Sequence, residues 1–426
     1  MVEIRPFRAI RYTAGAGNPE DLITQPYDKI DPAMQKEYYE KSPYNYCRLI
    51  LPMEKNRYEI ARDRIQEWLR AGILAKDEKP AFFVYRQEFK LDGDSCVRTG
   101  VVAGLRLYSY EENTVFPHEI TYAAPKTDRL NMLRTIQKDL EPVFLIYSDP
   151  DNVTANLFAE ITKTKPVIDL IDALQVKHFI WKVTDGEKIE LLRKALEPKI
   201  LVITDGHHRY ESAIAYRDEK QRPETWTADS AFNFHMSFLV PVQDEGLVVL
   251  PAHRLLKHHT LTNEALNSLK RYFNVTKIEA SVKGVDDFLS SYKNDHAFGI
   301  YAGSKAYGLL LKHERRVYEF VNATASKETK LFDVVILRDV IFKAILKTGE
   351  LRMDEDILYE RWTKIAVERV DRGEAKLAFL VNPLSAEAVW RIAQEHERMP
   401  EKTTDFYPKP ASGLVMMDIA PGERLG

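Results

Sequence analysis

The sequence predicts a mixed α/β fold in two regions, residues 1–255 and 256–426. Three observations carry that expectation. A chain of 426 residues is long for a single core. Short apolar runs of strand length alternate with segments of helical period along its whole length. The texture changes after Leu256, although no flexible linker marks a boundary there.

The elements follow in order. "TQPYDKIDPAMQKEYYEKSPYN" (24–45) opens as a turn-rich loop, and Asp31 then reads as an N-cap with Pro32 at the first helical position. In "NRYEIARDRIQEWLRAGILAKD" the residues Ile60, Ile65, Trp68 and Leu69 share one helical face, and Gly72 ends it. "AFFVYRQEFKLDGDSCVRTGVVAGLRLYSY" reads as two strands around an Asp-Gly turn. "FPHEITYAAPKTDRLNMLRTI" is a loop that becomes helical near Lys126, and "PVFLIYSD" is a buried strand. "KPVIDLIDALQVKHFIWKV" reads as strand, turn, strand. "KIELLRKALEPKILVITDGHHRYESAIAYRDEK" has the clearest order: helix, strand, turn, helix. "FNFHMSFLVPVQDEGLVVLPAHRLL" adds two strands. Beyond it, "TNEALNSLKRYF" and "LFDVVILRDVIFKAIL" are helices, and "AFGIYAG", "AYGLLLKH" and "RVYEFVN" are strands. The charged run 352–376 reads as a solvated helix face, "AKLAFLVNP" with "SAEAVWRIAQEH" as strand then helix, and "TTDFYPKPASGLVMMDI" as loop then strand.

The chemistry concentrates at the corner in "ITDGHHRYESAIAY" (203–216). Asp205-Gly206 is a strong turn signal, so the polar residues fall where the first N–H groups of a helix lack internal partners. Those donors and the helix dipole favour an anion, usually phosphate or carboxylate. Gly206 lets the backbone approach a ligand, and Arg209 can fork two hydrogen bonds onto its oxygens. His207 or His208 can donate, or move a proton near neutral pH. Asp205 can act as a base or hold a metal through oxygen. The plain alternative is a capped helix with solvated histidines. Zinc is disfavoured, because adjacent histidines rarely aim at one ion and the chain has no H-E-x-x-H or paired C-x-x-C. The P-loop and Rossmann glycine patterns are also missing.

"GHHRY" between strand and helix resembles the phosphate-binding corner of the ParB/sulfiredoxin-like superfamily, which includes free-serine kinases. Sulfiredoxin's cysteine falls on His207 here, so that enzyme's thiol chemistry is not expected. A broader resemblance spans nearly the whole chain. "EIRPFRAIRY", "QPYDKI", "SPYNYCRL", "PHEITYAAPKTDRLNMLR", "TDGHHRYESA", "LPAHRL" and "TTDFYPKPASGLV" resemble the domain-of-unknown-function family 1015. The first resemblance implies a ParB/sulfiredoxin-like core in residues 1–255, a bound nucleotide (ATP or ADP) and phosphoryl transfer.

Other polar constellations are candidates for the same site. His118 and Glu119 precede Lys126 and Arg129, so a carboxylate or imidazole base would stand near cations that steady phosphates. Tyr27 and Asp28 lie in the loop after Pro26, His253 and Arg254 at a strand end, and Thr403, Thr404, Tyr407 and Lys409 in a proline-bounded loop; all are possible substrate-binding residues. Each constellation also reads as an ordinary packed corner or solvated strand end.

Composition narrows the class. Net charge is −3, which gives no reason to expect nucleic acid as a partner. Only Cys47 and Cys96 are present, so a disulfide framework is not expected. "MVEIRPFRAIRY" lacks the apolar core of a signal peptide, and no apolar run approaches the roughly 18 residues of a membrane helix. A cytoplasmic setting is expected. The expected function is a Mg2+-dependent, nucleotide-dependent phosphotransferase acting on a small hydroxyl-bearing metabolite, with serine the first candidate. Asp205, Glu119 and His207 are the expected catalytic residues, with Asp205 a possible metal ligand. Gly206, His208, Arg209, Lys126, Arg129 and His118 are the expected phosphate- or nucleotide-binding residues. The alternatives are a non-catalytic nucleotide-binding or DNA-partitioning-like module, or a structural role.

Overall fold

The computed structural model describes residues 1–119, 121, 123–221, 226–321, 326, 330–399 and 403–426. The mixed α/β class expected from the sequence is the class observed. The chain divides into two compact units: Met1–Val248 with Pro408–Gly426, and Val249–Tyr407. The sequence expectation of one region from 256 to the C terminus differs from this. Backbone pairing gives the reason. Met416 exchanges hydrogen bonds with Ile10, Met417–Asp418 pairs with Lys138–Asp139, and Ser412 pairs with Thr24. No local sequence signal announces these long-range bridges.

The first unit is built on a nine-stranded sheet among the described residues. In chain order its strands are β1 Ile4–Arg5, β2 Phe82–Leu91, β3 Asp94–Arg106, β4 Val115–Pro117, β5 Val143–Tyr147, β6 Ile168–Ile171, β7 Lys177–Val183, β8 Leu201–Asp205 and β9 Phe234–Pro241. The spatial order is β4-β8-β5-β9-β3-β2-β7-β6, with β1 beside the end of β3. β8 runs parallel to β4, and β9 parallel to β5; the other pairs are antiparallel. The hairpin β2–β3 forms around Asp92-Gly93, both with positive φ (51° and 95°), the backbone that a two-residue turn of matching twist requires. β5 is buried at every position, which explains its continuous apolar run. Helix α1 (Arg57–Arg70) buries Ala61, Ile65 and Trp68, and Gly72 follows with φ 71°. Helices α2 (Ala123–Ile136) and α3 (His207–Lys220) pack on each other.

The second unit holds a six-stranded antiparallel sheet among the described residues. Its strands are β10 His253–Leu256, β11 Phe273–Ile278, β12 Ala297–Tyr301, β13 Ala306–Leu311, β14 Ile357–Glu360 and β15 Leu377–Val381, in the order β11-β13-β12-β15-β10-β14. Leu255, Val285, Ala297, Ala366 and Leu380 belong to its core. Three local expectations are corrected here. The run 352–376 is a strand (β14) followed by a helix at Thr363–Asp371, because Ile357 and Leu358 are buried beside β10. "RVYEFVN" is not a strand in its described part, Arg316–Val321: Glu314–Arg316 is a 3-10 turn, and turns continue to Phe320. Val317 and Phe320, three apart, turn inward together, and Phe320 meets Tyr272 edge-on at 5.5 Å. "LFDVVILRDVIFKAIL" is helical, but Ile336–Leu346 is wound as a π-helix. Among the described residues no helix is long and apolar enough to cross a membrane.

Candidate functional site

The corner is built by β8 handing over to α3. Gly206 adopts φ 90° and supplies no side-chain cap. The first intrahelical bond is Tyr210 N–H to Gly206 O, so the N–H groups of His207, His208 and Arg209 precede the helical ladder. A Cβ on Gly206 would stand 3.0–3.1 Å from the Arg209 guanidinium, so the glycine is required both by φ and by the arginine folded over it.

Arg209 is buried. Its Nη1 donates to Pro142 O at 2.6 Å and its Nη2 to Asp205 Oδ2 at 2.5 Å. Asp205 Oδ1 receives Lys409 Nζ at 2.6 Å. Burial opposes charge on Asp205, but Lys409 and then Arg209 outweigh it and hold the carboxyl well below the usual range. Lys29 adds to that field. Asp28 and Tyr27 stand close enough to Arg209 to shift it as well. Tyr27 N–H donates to Glu141 Oε1 at 3.0 Å, and the Arg129 guanidinium lies 3.9 Å from the Tyr27 ring centroid. The "QPYDKI" loop therefore reaches the corner, as does Lys409.

The end of β4 lies beside the end of β8, which brings His118 and Glu119 in. His118 Nδ1 meets Ile203 O at 2.5 Å and its Nε2 is 3.6 Å from Glu119 Oε1. Both ring nitrogens thus face oxygen acceptors. The His118 backbone N–H donates to His207 Nε2 at 3.3 Å, and the two rings meet edge-on at 4.7 Å. His207 is neutral: burial first, then the charge on His118, pushes it down to about 3. Burial raises Glu119, but its bond and charge contact with His118 win and bring it down to about 2.

The expected site residues therefore separate. Gly206, Asp205, His207, Arg209, His118, Glu119, Tyr27, Asp28 and Lys409 gather around the corner. His208 is half-buried in the first turn of α3. Arg129 is bound to Asp128 and lines, with Arg209, Asp139, Glu141 and His235, a cavity of about 30 Å³. Lys126 is drawn to Glu211 at 2.9 Å, a turn further along α3, rather than to the corner acids. His253, Arg254, Thr403, Thr404 and Tyr407 belong to the second unit. There the His253 ring receives Val381 N–H at 3.3 Å, and Tyr407 meets Trp362 at 5.9 Å. Among the described residues no three His, Cys, Asp or Glu side chains converge as a metal site, and both Asp205 oxygens face cations.

Sequence reasoning missed four supports. Fully buried Arg98 donates to Gln87 Oε1 and Pro408 O, and Gln87 Nε2 donates to Lys409 O at 3.1 Å. Together they fix the backbone that carries Lys409. Glu141 Oε1 accepts from Tyr27 N–H and, at 2.9 Å, from Ser412 Oγ, tying the 25–30 loop to the C-terminal segment. Lys29 is the fourth.

Residues 4–335 match the family described as "Protein of unknown function (DUF1015)". The chain belongs to that family. No curated protein matches this DUF1015 member. Among solved structures it is similar to a conserved hypothetical protein from Pyrococcus furiosus, at 16% identity over 71% of this chain and 92% of that chain, with a TM-score of 0.32. A free serine kinase in complex with AMP aligns at 15% identity over 71% of this chain and 89% of that chain, TM-score 0.32. SbnI with a C-terminal truncation from Staphylococcus aureus aligns at 8% identity over 72% and 85%, TM-score 0.34.

Behind the corner, Asp139 Oδ2 accepts Met236 N–H at 2.8 Å, and its Oδ1 lies 3.5 Å from His235 Nε2. Burial pushes Asp139 up to about 8. Its folded form prefers the proton, so the charged form costs stability increasingly as pH rises above the ordinary Asp value, with the full cost above pH 8. Asp139→Asn keeps the acceptor and cannot ionise. Its stability in urea should exceed that of the wild type at pH 9, and the advantage should shrink on lowering the pH towards 4. A pH-independent difference between the two proteins would contradict this.

Proposed function

We propose that this DUF1015 member binds the phosphates of a nucleotide at the 205–210 corner and transfers a phosphoryl group to or from a small hydroxyl-bearing metabolite. The carrying observation is the helix start without a side-chain cap, flanked by Arg209 and Lys409 on one side and by the His118–Glu119 pair on the other. Backbone N–H groups and the dipole at such a start favour phosphate. Arg209, Lys409 and Lys29 would share their charge between Asp205 and the incoming oxygens. The resemblance of "DGHHRY" to the ParB/sulfiredoxin-like corner supports the same ligand, ATP or ADP, and makes serine the first acceptor to try.

In the forward direction the acceptor oxygen bonds to the terminal phosphorus, the bond from phosphorus to the nucleotide's bridging oxygen breaks, and the hydroxyl proton passes to Glu119. Of the expected catalytic groups, Glu119 fits best. Asp205 is held between two cations, and the His207 Nε2 lone pair is occupied by a backbone N–H. A carboxylate near pKa 2 is a weak base. In a loose phosphoryl-transfer transition state its main task is to orient the hydroxyl, which demands little basicity. Any Mg2+ accompanying the nucleotide would be held by phosphate oxygens rather than by a protein cage.

The test is phosphorus NMR of the full chain with Mg2+, ATP or ADP and a panel of hydroxyl metabolites that includes serine. A new phosphomonoester resonance that depends on one acceptor is the expected result. Nucleotide binding with no conversion in either direction would replace this reading with a non-catalytic binding module. No binding at all would remove the corner as a phosphate site.

A further inference from the structure

Two buried groups behind the corner take no part in the reaction proposed above. Asp139 lies on the short strand Lys138–Asp139 and His235 on β9, and both line the cavity of about 30 Å³ that Arg209 also borders. Their hydrogen bonds fix where the hydrogens stand. His235 Nδ1 is 2.7 Å from Met236 O, and a carbonyl only accepts, so Nδ1 carries the ring's hydrogen. In the neutral ring Nε2 is then a bare acceptor, 3.5 Å from Asp139 Oδ1. Asp139 Oδ2 already accepts the Met236 N–H, and Oδ1 is buried with no hydrogen-bond partner among the described residues. Two acceptors thus face each other in the interior, an arrangement that costs free energy unless one proton stands between them.

Burial pushes His235 down to about 3 and Asp139 up to about 8, so that proton resides on Asp139 near neutral pH. Other titratable groups surround the pair. Arg129 on α2 is bound to Asp128, and Lys138 is bound to Asp418 at 2.8 Å. Glu141 lines the same cavity and accepts from Tyr27 N–H and Ser412 Oγ. The Tyr46 and Tyr216 phenols lie within the field of Asp139, and burial keeps both neutral. Arg209 on α3 is the cation whose charge acts on both Asp139 and His235. It is also the residue that holds Asp205 at the helix start.

We propose that Asp139 and His235 are positioning residues, a one-proton pair that sets how much of the Arg209 charge reaches a phosphate at the corner. With the proton in place, Arg209 faces Asp205 and the incoming oxygens. When Asp139 gives that proton to solvent, a buried carboxylate draws on the same guanidinium and competes with the phosphate. Phosphate binding therefore favours the protonated pair, and by linkage the affinity falls as pH rises through about 8. Asp139→Asn keeps an acceptor for the Met236 N–H and offers an N–H to His235 Nε2, so it mimics the protonated pair at every pH. This coupling rests on the nucleotide reading of the corner for its ligand, whereas the link between the pair and Arg209 exists in the free protein.

The experiment on the full chain has an arm without ligand and an arm with it. Urea denaturation of the wild type, Asp139→Asn, Arg209→Gln and the double variant closes a double-mutant cycle at pH 6 and at pH 9. The coupling between the two positions should grow by about tenfold in the unfolding constant from pH 6 to pH 9, the factor contributed by a group near pKa 8 at one pH unit above it. A coupling that does not grow would overturn the proposal. Histidine 15N spectra check the pair without any variant. His235 should stay neutral with its hydrogen on Nδ1 from pH 6 to pH 9, and a hydrogen on Nε2 would overturn the pair. Isothermal titration with ADP then compares pH 7 and pH 9, both above the last ionisation of a phosphate near 6. Wild-type affinity should fall about tenfold, and that of Asp139→Asn by less than about twofold. Equal falls in the two proteins would overturn the proposal. ADP that binds neither protein at either pH would remove the nucleotide reading and the phosphate end of this coupling, and the cycle would still decide the link to Arg209.

Discussion

Glu119→Gln should reduce turnover about 100-fold or more while leaving nucleotide binding intact, the loss expected when a group that takes or directs a proton is removed. The substitution keeps shape and removes charge. Glu119 Oε1 lies 3.6 Å from His118 Nε2, and the charge on Lys409 also acts on this carboxylate. Its low pKa, near 2, keeps it ionised throughout the range in which the protein would be assayed. An acid limb in the rate between pH 4 and 7 should therefore not come from Glu119. Glu119→Asp, which restores the charge at shorter reach, should recover part of the rate. Stability provides a second readout with a definite sign. A carboxyl depressed in the fold contributes stability above its unfolded value, and that contribution is lost as pH falls towards 2. Glu119→Gln should accordingly show a flatter decline below pH 4.5 in denaturant melts. Unchanged turnover in Glu119→Gln would leave the proton to another group and remove this residue from the reaction.

The legibility of this site in the sequence follows from the range of its interactions. The corner itself was local: an apolar run, Asp205-Gly206 and a helix period stand within one short stretch, so strand, turn and helix could be read together. The Asp92-Gly93 hairpin was legible for the same reason. That Tyr27, Asp28, His118, Glu119 and Lys409 meet there was suggested only by their polarity in loops. What placed them could not be read. Pairing of β4 with β8 carries His118 to Ile203 across 85 positions. Arg98 reaches Pro408 across 310 positions, from a strand residue that alternation alone would call an ordinary polar position. Glu141 gave no signal, because its role is set by which backbone N–H stands opposite it. The π winding of Ile336–Leu346 was invisible as well, since its apolar spacing satisfies an ordinary helix.

Arg209→Ala should both weaken the fold and abolish the response to nucleotide. A solvent-facing arginine at a helix start could be removed at little cost. The structure places this one in the interior, where Nη1 satisfies Pro142 O at 2.6 Å and Nη2 holds Asp205 at 2.5 Å. Truncation would leave a buried carbonyl without its donor and take one of two cations from a buried carboxylate. Removing one member of a buried ion pair costs about 3–5 kcal/mol when the other charge is stranded. Lys409 remains on Asp205, so a loss of roughly 2–3 kcal/mol in urea denaturation is expected here. Arg209→Lys should fall between, since one ammonium cannot serve both Pro142 and Asp205. For the ligand, ATP or ADP at concentrations well above its Kd raises the melting temperature of a protein that binds it only when folded. In Arg209→Ala that rise should vanish, measured against the variant's own lower baseline. A melt unchanged from wild type would show that the guanidinium does not carry the corner. A destabilised variant that still responds fully to nucleotide would make Arg209 a brace for Asp205 and Pro142 alone, and the phosphate would then have to rest on the helix N–H groups with Lys409 and Lys29.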